Sequence, residues 1–413
     1  MTQQQTEPTG TGLVRYGAAV VGLNLAYMPL LVLLLPRRAA ELFGAEAAGV
    51  VSWLMLAGAV AASLGNIAAG RFADWWIGRF GSRRGAIALG LAALLATYPA
   101  LALAETVPAL VLAVIAFQLA LNLALSPAMA VLADHVPDAR KGPVSGWLGA
   151  AVPLSALGTA GIGWALPAQG NSAFLVLAGL VLLLVLPLPL FWGLGRRAAV
   201  PAAAPSASAP AAPRAVDSRV WRLWAARLMV QLANCFLLFY LFLYLESLIA
   251  ARPDWHGRDP SDTLADLSLI GAVCAVLGAL ACGRLARHAA PRGRLLAGAA
   301  LAIAAGLFAI GSAPSPLAML AGFALIQLAL AGYLAIDMAW VAQLLSDHPR
   351  RGQVLGLINL SNTLPGVAAA VLTLQGLQHG GLGDTLELAY RLCALGALLA
   401  AALTLTLRGN PAK

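Results

Sequence analysis

The chain has 413 residues, 61% of them hydrophobic and 10% charged, with a mean hydropathy of +0.83 and a formal net charge of +9. A soluble domain of this length needs a charged surface, so the composition excludes one and makes lipid the solvent for most of the exterior. The basic excess does not mark a nucleic-acid binder, because the arginines sit in short clusters between apolar runs, the pattern of membrane topology.

A helix needs about 20 apolar residues to cross a hydrocarbon core of about 30 Å. On that measure the sequence predicts twelve spans, at about 14–36, 47–73, 85–104, 107–133, 143–167, 172–193, 220–246, 265–286, 295–312, 316–344, 353–377 and 386–407. The first is retained as a span rather than a signal peptide, since it is long, holds Asn24 and Pro29 and is followed by no small-residue cleavage site. With the N-terminus inside, only Arg37, Arg38, Arg252, Arg258 and Arg391 of the 26 basic residues fall outside, so both termini are expected in the cytoplasm. Arg and Ala are abundant and Lys occurs only at Lys141 and Lys413. That usage is typical of GC-rich bacterial genomes, and the expected location is a bacterial inner membrane.

Residues 198–217, rich in Pro, Ala and Ser, interrupt the apolar pattern after the sixth span and read as a cytoplasmic linker. The expected organisation is therefore a half at 1–197, the linker, and a second half at 218–413. The loop after span four runs Asp134-His135, then Arg140-Lys141 and Gly142 to Gly146; the loop after span ten runs Asp347-His348, then Arg350-Arg351 and Gly352 to Gly356. Six is even, so such halves share one orientation, the parallel-repeat arrangement of transporters.

The four cysteines, Cys235, Cys274, Cys282 and Cys393, have unrelated spacings inside apolar segments, and the five histidines form no metal-binding pair. No metal and no cofactor is expected. Membrane enzymes need catalytic groups in sizeable loops, and the longest outer loop, Arg252 to Asp266, carries no recognisable motif.

Between spans two and three the chain reads Gly70, Asp74, Arg79, Gly81, Arg83 and Arg84 at the spacing GxxxDxxxxRxGxRR. This resembles the loop 2–3 signature of the major facilitator superfamily, in the longer form of sucrose transporters and glycoside-pentoside-hexuronide cation symporters. Leu35-Pro36, Ile336-Asp337-Met338-Ala339, Gly356 to Asn359 and Leu364-Pro365 add to the likeness, whereas Ser82 and Gly85 replace an Arg and a Pro. The resemblance implies an all-α membrane fold of twelve helices in two six-helix halves, alternating access, a sugar or glycoside as substrate, and spans one, four, seven and ten around a cavity.

Those spans carry Asn24 and Tyr27; Gln118, Asn122 and Ser126; Gln231 and Asn234; and Gln327, Tyr333 and Asp337. Amide and hydroxyl groups with little net charge suit a neutral hydroxylated solute, although Asn and Gln also bind membrane helices to one another. Asp337 is the candidate for proton coupling, with a gating or helix-pairing role as the alternative. Arg227 and Glu246, about 28 Å apart along one helix, are expected near opposite interfaces. Asp74, Arg79, Arg83, Arg84, Asp134, Arg140, Asp347 and Arg351 form the expected cytoplasmic gate. The expected partners are a small-molecule substrate, the lipid bilayer and a proton, with the monomer as the working unit. A proton-coupled exporter of amphipathic compounds and an uncoupled facilitator are the alternatives; an apolar, aromatic cavity would favour the exporter.

Overall fold

The computed structural model describes residues 8–136, 144, 148, 151–165, 172–194, 217–287, 292–312, 315–344 and 351–407. Among these the regular elements are helices, without a strand. They are α1 (Gly10–Pro29), α2 (Leu35–Phe43), α3 (Ala47–Phe80), α4 (Arg84–Leu103), α5 (Val107–His135), α6 (Ala151–Ala165), α7 (Ser172–Val185), α8 (Pro187–Phe191), α9 (Ser218–Phe239), α10 (Leu241–Ala251), α11 (Pro260–Arg287), α12 (Arg292–Gly311), α13 (Pro316–Leu344), α14 (Arg351–Leu377) and α15 (Leu382–Leu405). Nine stretches among the described residues are long and apolar enough to cross a membrane, and Gly10–Phe80, at 71 residues, is one of them. Their sequence along the chain is consistent with twelve spans. The expected linker lies outside the described residues except for Asp217.

Local chemistry sets the helix ends. Thr9 Oγ1 accepts from the Gly12 amide at 3.0 Å to start α1, and Asp217 accepts from the Arg219 amide at 2.8 Å to start α9. The Arg219 guanidinium also donates to Asp217 and holds its carboxyl below the usual carboxylate range. Between α1 and α2 the helix widens into a π turn at Leu30–Leu34, bracketed by Pro29 and Pro36. Proline has no N–H to give, and a wider turn accommodates the lost ladder bond without breaking the helix.

Two boundaries differ from the sequence expectation. The second span, expected to end near residue 73, continues as helix to Phe80, so Asp74 and Arg79 stand on its last turns. Phe72, Trp75, Trp76 and Phe80 pack ring against ring there, with Trp76 and Phe80 centroids 4.6 Å apart, and this contact sustains the extension. The seventh span breaks at Tyr240, between α9 and α10.

The chain divides into two compact units, Met1–Leu35 with Leu56–Ala207, and Pro36–Met55 with Ser208–Lys413. In the first, α1 packs on α6 and α7, and α4 on α5; in the second, α12 packs on α15 and α13, α11 on α13, and α9 on α14 and α15. The first turns of α3 belong to the second unit, where Ser52 Oγ and Tyr240 Oη lie 2.8 Å apart, both fully buried.

One packing device occurs in each unit. On α3, a Cβ added at Gly58 would stand 3.7 Å from Gln118 Cγ, and one at Gly65 3.1 Å from Leu119. On α11, a Cβ at Gly271 would stand 3.2 Å from Gln327 Cγ, and one at Gly278 only 1.9 Å from the Leu328 carbonyl oxygen. The facing segments read Phe117-Gln-Leu-Ala-Leu121 and Ile326-Gln-Leu-Ala-Leu330. Small residues let membrane helices approach closely, and lipid supplies no hydrophobic force to do it for them. Large apolar side chains such as Leu64, Leu112, Leu183 and Leu317 stand outward, where lipid solvates them.

A side chain at Gly278 would drive α11 and α13 apart, at a cost of about 1–3 kcal/mol. Gly278→Val should therefore lower the melting temperature of the purified protein by several degrees. Gly298→Val, where nothing lies within 4 Å, should leave it unchanged, and equal effects would refute the close-approach account.

Candidate functional site

Arg227 and Gln231 lie one turn apart on α9, Tyr333 and Asp337 one turn apart on α13, and α14 adds Asn362. Arg227 Nη1 donates to Asp337 Oδ2 at 2.7 Å. The other edge of the same guanidinium, Nε and Nη2, donates to Asn362 Oδ1 at 3.4 and 3.0 Å. Gln231 Nε2 donates to that oxygen as well, at 3.1 Å. The Asp337 and Arg227 side chains are 0% and 8% exposed, while Asn362 is exposed and Gln231 half-buried. An exposed amide thus covers a buried ion pair. Among the described residues, three oxygens in the cluster accept no hydrogen bond: Asp337 Oδ1, Gln231 Oε1 and Tyr333 Oη, which has no partner of either kind.

An isolated charge in this interior would be prohibitive, and each member of the pair makes the other tolerable. The sequence expectation for Arg227, an interfacial side chain reaching back to water, is corrected here, because Asp337 comes across from α13 to meet it. Glu246 is exposed. The missed signal was an Arg about two turns inside one apolar span, beyond the Arg219 and Arg222 at its end, and a single Asp about two turns inside another.

Of the other expected cavity residues, Asn122 is buried and the rest half-buried, and Asn24, Tyr27 and Asn122 bond within their own helices. Asn24 Nδ2 donates to the Val20 carbonyl at 2.8 Å, and Tyr27 Oη donates to Asn24 Oδ1 at 3.1 Å. Asn122, 8% exposed, donates to the Gln118 carbonyl at 2.8 Å. The stripe Gln118, Asn122 and Ser126 runs along Gly58, Gly65 and Gly70 of α3, with Ser126 Oγ 3.8 Å from where a Gly70 Cβ would be. Gln327 lies against Gly271 in the same way, and Asn234 is half-buried on α9.

At the end of α3 a second charged cluster forms. Arg83, 4% exposed, donates through Nε to Asp134 Oδ2 at 2.5 Å and through Nη2 to Asp74 Oδ1 at 3.3 Å. Asp134 is largely buried and Asp74 is 79% exposed, so Asp134 holds the arginine and Asp74 sits at its rim. Arg84 turns the other way, donating to the carbonyls of Pro189 and Leu190, the latter at 2.9 Å. Arg79 is exposed, its guanidinium 5.6 Å from the Phe80 ring centroid. Arg140, Asp347 and the side chain of Arg351 lie outside the described residues. Among the described residues no group of His, Cys, Asp or Glu has metal-binding geometry, and Cys235, Cys274 and Cys393 are free thiols.

Solved structures share this fold. A bacterial homolog to the human lysosomal transporter Spinster, in an inward-facing and occupied conformation, matches with a TM-score of 0.69 at 15% identity, over 97% of this chain and 98% of that one. The peptide transporter POT in complex with sulfate matches with a TM-score of 0.70 at 15% identity, over 97% and 96% of the two chains. A point mutant of the same transporter reaches 0.74 at 14% identity, over 97% and 96%. No curated protein matches the chain significantly. The family model of the Major Facilitator Superfamily matches residues 14–370. Long apolar helices in two compact units, buried charges held in pairs and a family match over most of the length agree: this chain is a multi-pass membrane protein of the major facilitator superfamily.

Proposed function

We propose that the protein is a secondary transporter for a small, polar, hydroxylated solute of the sugar or glycoside type, and that Asp337 couples its movement to protons. The observation that carries this reading is the Arg227–Asp337 pair. It is a carboxylate with no exposed surface, one oxygen held by a guanidinium and the other accepting nothing. Protonation of that free oxygen would release Arg227, so the charge state of one residue would set the partners of three. The amide and hydroxyl groups of Asn24, Tyr27, Gln231, Asn234 and Gln327 supply the polar chemistry such a solute needs.

In this reading residues 1–197 and 218–413 are the two moving halves, joined by the linker at 198–217, in a bacterial inner membrane with both termini inside. The Asp74, Arg83 and Asp134 cluster, with Arg79, Arg84, Arg140, Asp347 and Arg351, serves as the cytoplasmic gate, and the monomer is the working unit.

Three outcomes follow. Asp337→Asn should abolish accumulation driven by an imposed pH gradient in proteoliposomes, while exchange of labelled for unlabelled substrate continues; pH-driven accumulation by this variant would route the proton elsewhere. Arg227→Ala leaves a buried carboxylate unpaired, and should lower stability by about 3–5 kcal/mol, read as loss of monodisperse protein on size exclusion. In the gate, Asp134→Asn should slow transport by about ten-fold or more and Asp74→Asn by less, since Asp134 is the nearer and more buried partner of Arg83. The reverse order in initial rates would refute the assignment.

A further inference from the structure

The Asn362 oxygen is asked to do too much. Three N–H groups converge on it, from Arg227 Nε, Arg227 Nη2 and Gln231 Nε2, and an amide oxygen has two lone pairs. Two of those donors form one edge of a guanidinium, the fork that fits the two oxygens of a carboxylate side by side. The cluster is therefore rich in donors and short of acceptor oxygen on the side that an exposed residue covers. Behind it the balance is reversed, with Asp337 Oδ1 and Gln231 Oε1 lacking any donor.

We propose that the Nε and Nη2 edge of Arg227, with Gln231 Nε2, binds the carboxylate of an organic anion in place of the Asn362 amide, and that each anion enters with one proton taken up by Asp337. This inference rests on the transporter reading and, within small hydroxylated solutes, replaces the neutral sugar or glycoside by solutes that carry a carboxylate.

Charge balance dictates the proton. The cluster as it stands is neutral, one guanidinium against one carboxylate. A second carboxylate on the same guanidinium leaves a buried excess negative charge, which the interior does not tolerate unpaired. One proton from water, bound at Asp337 Oδ1, restores neutrality and turns an oxygen that accepts no hydrogen bond into a hydroxyl. The anion brings one negative charge and the proton one positive charge, so the complex that crosses is neutral and the step is indifferent to membrane potential.

The groups around Asp337 leave it as the proton's site. Arg227 of α9 is the charge that acts on it, and Tyr333 of its own helix is the neighbouring phenol. Asn362 of α14 is neutral. The other described charged side chains on the helices packed against α13 are Arg219 and Arg222 at the start of α9, Asp262 and Asp266 at the start of α11, and Arg292 and Arg294 at the start of α12.

The test uses the full chain in proteoliposomes with two matched pairs, lactate against propane-1,2-diol and gluconate against sorbitol, each pair differing by a carboxylate in place of a hydroxymethyl group. The acid should be taken up at least ten-fold faster than its partner, with one proton per anion by an internal pH dye, and at a rate that a potassium diffusion potential does not change. Between pH 8 and 6, where both acids stay ionised, apparent affinity should rise by about ten-fold per unit of acidification, the slope for one linked proton. Asn362→Asp places a tethered carboxylate on the same edge and should weaken acid binding at least ten-fold, whereas Asn362→Ala should retain the preference for acids. Arg227→Lys keeps the charge without the fork and should also weaken acid binding, which provides a second reading if Asn362→Asp does not fold. Equal uptake of acid and neutral partner, or acid uptake that moves net charge, overturns the anion assignment and leaves the transporter reading standing; no uptake of any of the four overturns both.

Discussion

Hydrocarbon has no water to solvate a charge, and that constraint governs which polar groups this protein keeps inside and how it keeps them. Arg227 and Asp337 are tolerable only because each is the other's solvent, at 2.7 Å across two helices. The pair in turn fixes which faces of α9 and α13 meet, and it brings Gln231, Tyr333 and Asn362 to one place. Such an arrangement stabilises little by comparison with an apolar contact of the same volume. In the proposed reading, a proton on the carboxylate or an anion on the guanidinium would change every partner in the cluster at once.

Helix packing answers the same constraint in a different way. With no hydrophobic force between helices in lipid, α3 meets α5 and α11 meets α13 through glycines, each opposite a segment reading Gln-Leu-Ala-Leu. The device is alike in the two units while the charge is not, since the place of Asp337 relative to Gln327 is held by Ala128 relative to Gln118. At that position one unit carries a fully buried acid and the other an alanine.

The charged residues at the end of α3 differ in kind. Asp74 is exposed, Asp134 largely buried, and Arg83 lies between them. Water reaches one side of this cluster, so its contacts are cheaper to break than the Arg227–Asp337 pair. In the proposed gate, a contact made and released in each transport cycle would require that graded cost.

Composition and periodicity by themselves determined that the chain crosses a membrane many times and where its long apolar helices lie. They suffice because a span must be apolar over its whole length, whatever packs against it. The loop motif carried the superfamily, and Asp337 stood out as an acid in an apolar helix. Other features were decided by tertiary structure alone: the pairing of Arg227 with Asp337 across 110 positions, the convergence of three donors on Asn362, and the helical extension that put Asp74 on α3 rather than beyond it. A side chain's depth along its own helix can be read from the sequence, but its partner is set by which helix faces meet, and that depends on packing between segments far apart in the chain.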